Sequence, residues 1–192
     1  MAIEFKIWFQ EKFKRTGFPD KEHIDFSTFT MKKGKNWDAF KDFDVIINVS
    51  DFSSLNYSIC CQGDYKSYHW FPMNEKTNDI GINSIFGALT ILYDTYQQNK
   101  SVLLHCYNGT NRSAIVEACF YKMMTGEDLI QSFTKNGIDF KNRIQYNSFK
   151  GFLPHMSLMD SFLKNCKNSF DNPHTEIRLG PLDIIKKNSD EL

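Results

Sequence analysis

The stretch SVLLHCYNGTNRS, residues 101–113, decides the fold and holds the residues of chemical interest. Its first five residues are mostly apolar and predict a short buried strand over 101–105. The polar turn that follows contains Gly109 and leads into residues 113–124, which predict a helix that stops near Gly126. A loop of this length between a strand and a helix can point successive backbone N–H groups into one concavity, backed by the positive end of the helix. The stretch therefore predicts an anion-binding loop.

The side chains at the two ends of this loop suit phosphate chemistry. Arg112 carries a planar fork that can hold two phosphate oxygens by parallel, charge-assisted hydrogen bonds. The same cation and N–H groups favour the thiolate form of Cys106, which is then a competent nucleophile at neutral pH. Ser113 can donate a hydrogen bond to the sulfur, and His105 is expected to orient the loop rather than act as a base. The predicted substrate-binding residues are Tyr107, Asn108, Gly109, Thr110, Asn111 and Arg112.

Strands and helices alternate outward from the loop. Residues 44–49 and 68–71 are rich in β-branched and aromatic side chains and predict two more strands. Apolar residues that repeat every three or four positions between 82 and 96 predict a helix, with Asp79 as its N-cap. Further helices are predicted over 3–15, 128–135 and 155–166. This order predicts an α/β fold with a central mixed, partly parallel sheet flanked by helices.

The loop resembles the signature of the cysteine-dependent protein-tyrosine and dual-specificity phosphatases: His-Cys, five residues, Arg, then Ser or Thr. A strand ending in Asn48-Val49, a loop containing Pro72 and a helix precede the signature, in an order that is similar to that of the dual-specificity members. The resemblance covers most of the chain, from Asp44 to about Lys164. It implies hydrolysis of phosphotyrosine, with phosphoserine and phosphothreonine as further substrates, through a phosphocysteine intermediate.

The resemblance also implies a general acid, which protonates the leaving oxygen. In the family this is an Asp three residues after the loop Pro, and here that position is Glu75. An alignment from the start of the helix puts Asn74 there instead, and an amide cannot donate a proton in this way. We predict Glu75 as the acid and Asp79 as the second candidate.

The composition narrows the function without identifying it. Lys plus Arg number 23, as do Asp plus Glu, so the bulk charge does not favour a nucleic-acid partner. The cysteines are odd in number and lack the spacing of a metal site, which indicates free thiols in a reducing compartment and predicts a cytoplasmic protein. No signal-peptide core and no apolar run of the roughly 20 residues that span a bilayer are found. We expect no metal and no cofactor, and a phosphoprotein as the substrate partner.

The length of 192 residues favours one domain with short extensions. We predict an N-terminal extension over 1–40 that contains an amphipathic helix, a phosphatase domain over 41–167 and a C-terminal tail over 168–192. The oligomeric state is not predicted.

Two alternative functions stay open. Asn111-Arg112 looks like a turn found in the RNA 5′-triphosphatases of this superfamily, which can dispense with the usual acid. Ser113 and Asn108 depart from that branch, which typically has Thr after the Arg and His before the Gly. The second alternative is a slow or inactive phosphate-binding module, whose usual sign is loss of the Cys or the Arg, and both are present here.

Overall fold

The computed structural model describes eight segments of the chain. They are residues 2–17, 24–25, 30–31, 42–51, 67–74, 81–109, 111–127 and 156–172. Three predicted site residues, Glu75, Asp79 and Thr110, lie outside these segments, as does the helix predicted over 128–135.

Four helices and six strands lie in the described segments. The helices are α1 (Ala2–Lys12), α2 (Ile82–Gln97), α3 (Arg112–Thr125) and α4 (Met156–Asp171). The strands are β1 (Phe13–Thr16), β2 (Ile24–Asp25), β3 (Thr30–Met31), β4 (Val45–Asn48), β5 (Ser67–Trp70) and β6 (Val102–His105). None of these helices combines the length and the apolar character needed to cross a membrane.

The central sheet has the order β1-β6-β4-β5, and its three pairings are all parallel. Strands β2 and β3 form a separate antiparallel pair. β4 and β6 are fully buried, as expected of strands covered on both faces. The predicted α/β class, with helices around a central sheet, is therefore confirmed, and the described part of the central sheet is entirely parallel.

The register of the sheet aligns the carboxyl ends of its strands. His105, the last residue of β6, pairs with Thr16 of β1 on one side and with Asn48 of β4 on the other. Asn48 in turn pairs with Trp70 of β5. The segments that follow these four strands therefore begin at the same edge of the sheet. Parallel α/β sheets place their ligand sites at this edge.

The N-terminal segment is part of the same core as the sheet. Phe5 and Trp8 of α1 are buried in this core, whereas Ile3 and Ile7 are 76% and 50% exposed. The helix predicted over 3–15 ends at Lys12, and residues 13–16 form β1 instead. Pairing with the otherwise unprotected edge of β6 overrides local helix propensity here. The segment assigned to an extension thus supplies a strand of the central sheet.

Two other element boundaries differ from the prediction. Asp79 was predicted as the N-cap of α2, but the helix begins at Ile82 and the capping position is Gly81, at a φ of 67°. Glycine adopts this left-handed conformation without steric cost. α4 continues to Asp171, beyond the predicted end at Cys166. The predicted stop of α3 near Gly126 is confirmed.

Helix α3 is the most buried helix of the described structure. It packs against α1, α2 and α4, and its residues from Arg112 to Tyr121 are all buried. A helix that is buried all round has little freedom to shift. The N-terminus of α3, which carries Arg112 and Ser113, is therefore held firmly at the carboxyl edge of the sheet.

Candidate active site

The signature loop joins the end of β6 to the start of α3. Cys106 follows His105 directly, and Asn111 precedes the first helical residue, Arg112. The backbone carbonyl of Asn111 accepts the N–H of Ile115 at 2.9 Å, so α3 begins its hydrogen bonding at the loop. The strand-loop-helix arrangement predicted from the sequence is therefore observed.

The Cys106 sulfur is turned toward hydrogen-bond donors. The backbone N–H of Gly109 donates to Sγ at 3.2 Å, and the Ser113 hydroxyl lies 3.3 Å from Sγ. Cys106 is fully buried, and Arg112 is only 5% exposed. This geometry places a sulfur, a backbone donor and a hydroxyl within one small enclosure at the start of α3.

These contacts lower the pKa of Cys106 below the ordinary thiol value of 9.0. Burial by itself raises the pKa, because it disfavours the charged form. The hydroxyl and backbone of Ser113, the positive charge of Arg112 and the N–H of Gly109 together outweigh it. The thiolate is therefore present at a lower pH than in an ordinary cysteine.

Two other cysteines show what burial does without such donors. Burial raises the pKa of both Cys119 and Cys166 to about 12. Both cysteines are buried free thiols. Within the described segments, no group of three His, Cys, Asp or Glu side chains is arranged to hold a metal ion. Cys119 belongs to the hydrophobic core. Cys106 is therefore distinguished from them by its hydrogen bonds and not by its burial.

The backbone conformation and close packing at Gly109 exclude a side chain at this position of the loop. Its φ is 71°, in the left-handed region, and a Cβ atom built on it would lie 2.3 Å from the backbone nitrogen of Gly17 and 2.4 Å from the carbonyl carbon of Thr16. Both neighbours are backbone atoms and cannot move aside as a flexible side chain would. The end of β1 therefore presses directly against the outer side of the loop.

Arg112 is positioned by two further groups. Its Nη1 donates to the carboxylate of Asp51 at 2.7 Å and to the Met73 carbonyl oxygen at 3.3 Å. Asp51 is 52% exposed and lies just after β4, at the carboxyl edge of the sheet. Sequence reasoning missed Asp51, although a carboxylate three residues after the end of a buried parallel strand is a signal that could have found it.

His105 is suited to support the loop. It is fully buried, and its Nδ1 lies 3.4 Å from the carbonyl oxygen of Cys106. Burial lowers the pKa of His105 to about 4, so the imidazole is neutral near pH 7. The role of His105 in orienting the loop stays a prediction. Of the predicted binding residues, Tyr107 is half-buried and Asn108 is exposed.

Arg15 of β1 also contacts the loop, and sequence reasoning missed it. Its guanidinium donates from Nε to the carboxylate of Glu117 in α3 and from Nη1 to the carbonyl oxygen of Gly109. Residues so far apart in the chain meet only because β1 joins the sheet beside β6. No local pattern in the sequence could have paired them.

The two candidates for the general acid, Glu75 and Asp79, lie outside the described segments. The described residues that lead toward Glu75 do approach the site, since Met73 is buried with its carbonyl oxygen against Arg112. Asn74, the other residue considered at the acid position, is exposed. The assignment of the acid stays a prediction.

One protein family matches a segment of the chain that includes this site. The family described as the catalytic domain of dual-specificity phosphatases matches residues 29–134. No curated protein sequence is significantly similar to the chain. A crystal structure of kinase-associated phosphatase, with its catalytic-site cysteine replaced by serine, has a TM-score of 0.52 at 15% identity and covers 81% of this chain and 85% of its own.

Two further solved structures are similar over about two thirds of the chain. The PTP-2 phosphatase of Cydia pomonella is 16% identical, has a TM-score of 0.46 and covers 65% of this chain and 73% of its own. The tyrosine phosphatase OH1 of Orf virus is 24% identical, has a TM-score of 0.31 and covers 67% of each chain.

Fold and site together define a phosphatase of the cysteine-dependent type. The chain belongs to the dual-specificity phosphatase catalytic-domain family, because that family matches more than half of its residues, including the whole signature loop.

The replacement Ser113→Ala is expected to raise the pKa of Cys106, because it removes a hydroxyl that stabilises the thiolate. The pH dependence of alkylation by iodoacetamide, followed by mass spectrometry of the Cys106 peptide, measures this pKa. Cys119 is an internal control that should stay unmodified below pH 9, since its pKa is about 12. A wild-type midpoint at or above 9.0, or no change in Ser113→Ala, would contradict the geometry.

Proposed function

We propose that this phosphatase hydrolyses phosphotyrosine in proteins, with phosphoserine and phosphothreonine as further substrates, through a phosphocysteine intermediate on Cys106. The observation that carries the proposal is the buried sulfur of Cys106, which faces the N–H of Gly109 and the hydroxyl of Ser113 at the N-terminus of α3. A lowered thiol pKa at the positive end of a helix is the environment of a nucleophilic cysteine.

In the first step the Cys106 thiolate attacks phosphorus, and the bond from phosphorus to the leaving oxygen breaks. The Arg112 fork and the loop N–H groups stabilise the charge on the equatorial oxygens. The leaving oxygen takes a proton from a general acid, for which we propose Glu75, with Asp79 as the second candidate. Asp51 and the Met73 carbonyl support this step by holding the guanidinium in place before substrate arrives.

In the second step water attacks the phosphorus, and the bond from sulfur to phosphorus breaks. The same carboxylate that gave up its proton now accepts one from the water. The sulfur leaves as a thiolate, and the hydrogen bond from Ser113 stabilises its negative charge. Inorganic phosphate and the free enzyme are the products.

The side chains of the loop support a phosphoprotein substrate. Its variable positions are the uncharged residues Tyr107, Asn108, Thr110 and Asn111. A polyphosphorylated lipid headgroup would need additional cations to balance its additional charges. A single phosphate monoester needs only the loop and Arg112.

A panel of substrates tests this function. The wild-type protein is expected to release phosphate from a phosphotyrosine peptide faster than from a phosphoinositide or a 5′-triphosphate RNA. Cys106→Ser should lose turnover by at least about a thousandfold, because it removes the nucleophile. It should still bind inorganic phosphate, because Arg112 and the loop N–H groups remain.

Three results would contradict the proposed function. One is turnover in Cys106→Ser comparable with that of the wild type. Another is a preference for triphosphate RNA. The last is tight binding of phosphopeptide by the wild type without any phosphate release, which would indicate a binding module.

Leaving-group dependence identifies the general acid. Glu75→Gln is expected to lower kcat on a phenyl phosphate with a poor leaving group by about a hundredfold, and on p-nitrophenyl phosphate much less, because only the poor leaving group needs a proton. Asp79→Asn is the matched control and should affect both substrates little. The role of general acid would belong to Asp79 if Glu75→Gln lowered kcat equally on both substrates while Asp79→Asn lowered kcat only on the substrate with the poor leaving group.

A further inference from the structure

Arg15 connects three parts of the molecule at the outer side of the signature loop. It stands on β1, one residue before Thr16, and its side chain is 19% exposed. Its Nε donates to Oε2 of Glu117 on α3, and its Nη1 donates to the carbonyl oxygen of Gly109 in the loop. One side chain thus joins the edge strand, the core helix and the loop that faces the sulfur.

We propose that Arg15 is a positioning residue of this active site, which holds the Gly109 carbonyl on the outer side of the loop while Glu117 holds Arg15. The inference rests on the proposed function, because it assigns a role to Arg15 through Cys106. Arg15 itself is not expected to contact the substrate.

The proposal follows first from the position of Gly109. The N–H of this residue donates to Cys106 Sγ at 3.2 Å, while its carbonyl oxygen accepts from Arg15. An anion-binding loop requires N–H groups directed inward and carbonyl groups directed outward. Glycine has the greatest backbone freedom of any residue, so its orientation in such a loop has to be fixed from outside. A charged donor on the carbonyl supplies that restraint.

Glu117 holds Arg15 from the side of α3. Its side chain is 9% exposed, and in α3 it lies five residues after Arg112. Burial raises the pKa of Glu117, and the charge and hydrogen bond of Arg15 oppose that rise. A buried carboxylate beside Arg15 neutralises it, so that Arg15 does not compete with Arg112 for the phosphate. The carboxylate also orients the guanidinium, whose planar fork can serve two acceptors at once.

The end of β1 is in close contact with the loop. A Cβ atom on Gly17 would lie 2.8 Å from the carbonyl carbon and oxygen of Asn108, and one on Gly109 would meet Thr16 and Gly17. β1 and the loop are therefore in backbone contact exactly where Arg15 reaches across. A change at Arg15 should be transmitted to Gly109 over a single hydrogen bond.

The test compares four variants of the full chain. Arg15→Met removes the donor, and the double variant Arg15→Met with Glu117→Leu also removes the carboxylate that would otherwise be buried without its partner. Arg15→Lys keeps the charge but not the fork. Lys14→Met is the matched control, since Lys14 is the exposed neighbour on the same strand. The readouts are the thermal midpoint, the pKa of Cys106 from iodoacetamide alkylation, and kcat and KM with p-nitrophenyl phosphate.

We expect the double variant to fold, to raise the pKa of Cys106 and to lower kcat/KM by about tenfold or more, since displaced groups cost catalysis heavily. Arg15→Lys should give an intermediate loss, and Lys14→Met none. If the neutral variants do not fold, Arg15→Lys alone decides between the outcomes.

The inference is overturned if the Arg15 variants that fold keep the pKa of Cys106 and kcat/KM within twofold of the wild type, even with a lowered thermal midpoint. That result would make the contact purely structural. A wild type that releases no phosphate would reject the proposed function instead, while alkylation of Cys106 would still test the role of Arg15.

Discussion

The site depends on favouring the thiolate form of one sulfur in a place where burial opposes ionisation. Cys106 is fully buried, and burial alone would raise its pKa, as it does for Cys119. The donors from Gly109 and Ser113 and the charge of Arg112 reverse that effect. Each of these groups works only at a fixed distance and direction, so the surrounding fold has to hold them rigidly.

The parallel sheet and α3 supply this rigidity. The register of β1, β6 and β4 brings the ends of three strands to one edge, so Gly17, Cys106 and Val49 follow at equivalent positions. Asp51 lies two residues after Val49, at the same edge. α3 is enclosed by three other helices and presents its N-terminus to the loop. Arg112 is then held by Asp51, and Gly109 by Arg15. The site is therefore supported from both sides of β6.

What could be predicted from the sequence was local in the chain. The signature from His105 to Ser113 is contiguous, and a strand before it and a helix after it are enough to place Cys106 near the N–H of Gly109. The contacts of Arg15 with Glu117 and of Asp51 with Arg112 join distant segments, and their pairing is decided by strand order and register, which periodicity does not reveal. For the same reason residues 13–15 are predicted as the end of a helix, although the open edge of β6 makes them part of a strand.

A covalent intermediate on Cys106 is the most direct test of the account. The wild-type protein is mixed with a phosphotyrosine peptide that carries radiolabelled phosphate, the reaction is stopped with denaturant at alkaline pH within one turnover, and the protein is digested and its labelled peptide sequenced. The account predicts label on the peptide that contains Cys106, attached through sulfur, stable in alkali and released by iodine. The account is contradicted if phosphate is released and the label is found on another residue. It is also contradicted if phosphate is released and no protein is labelled under conditions that slow the breakdown of phosphocysteine.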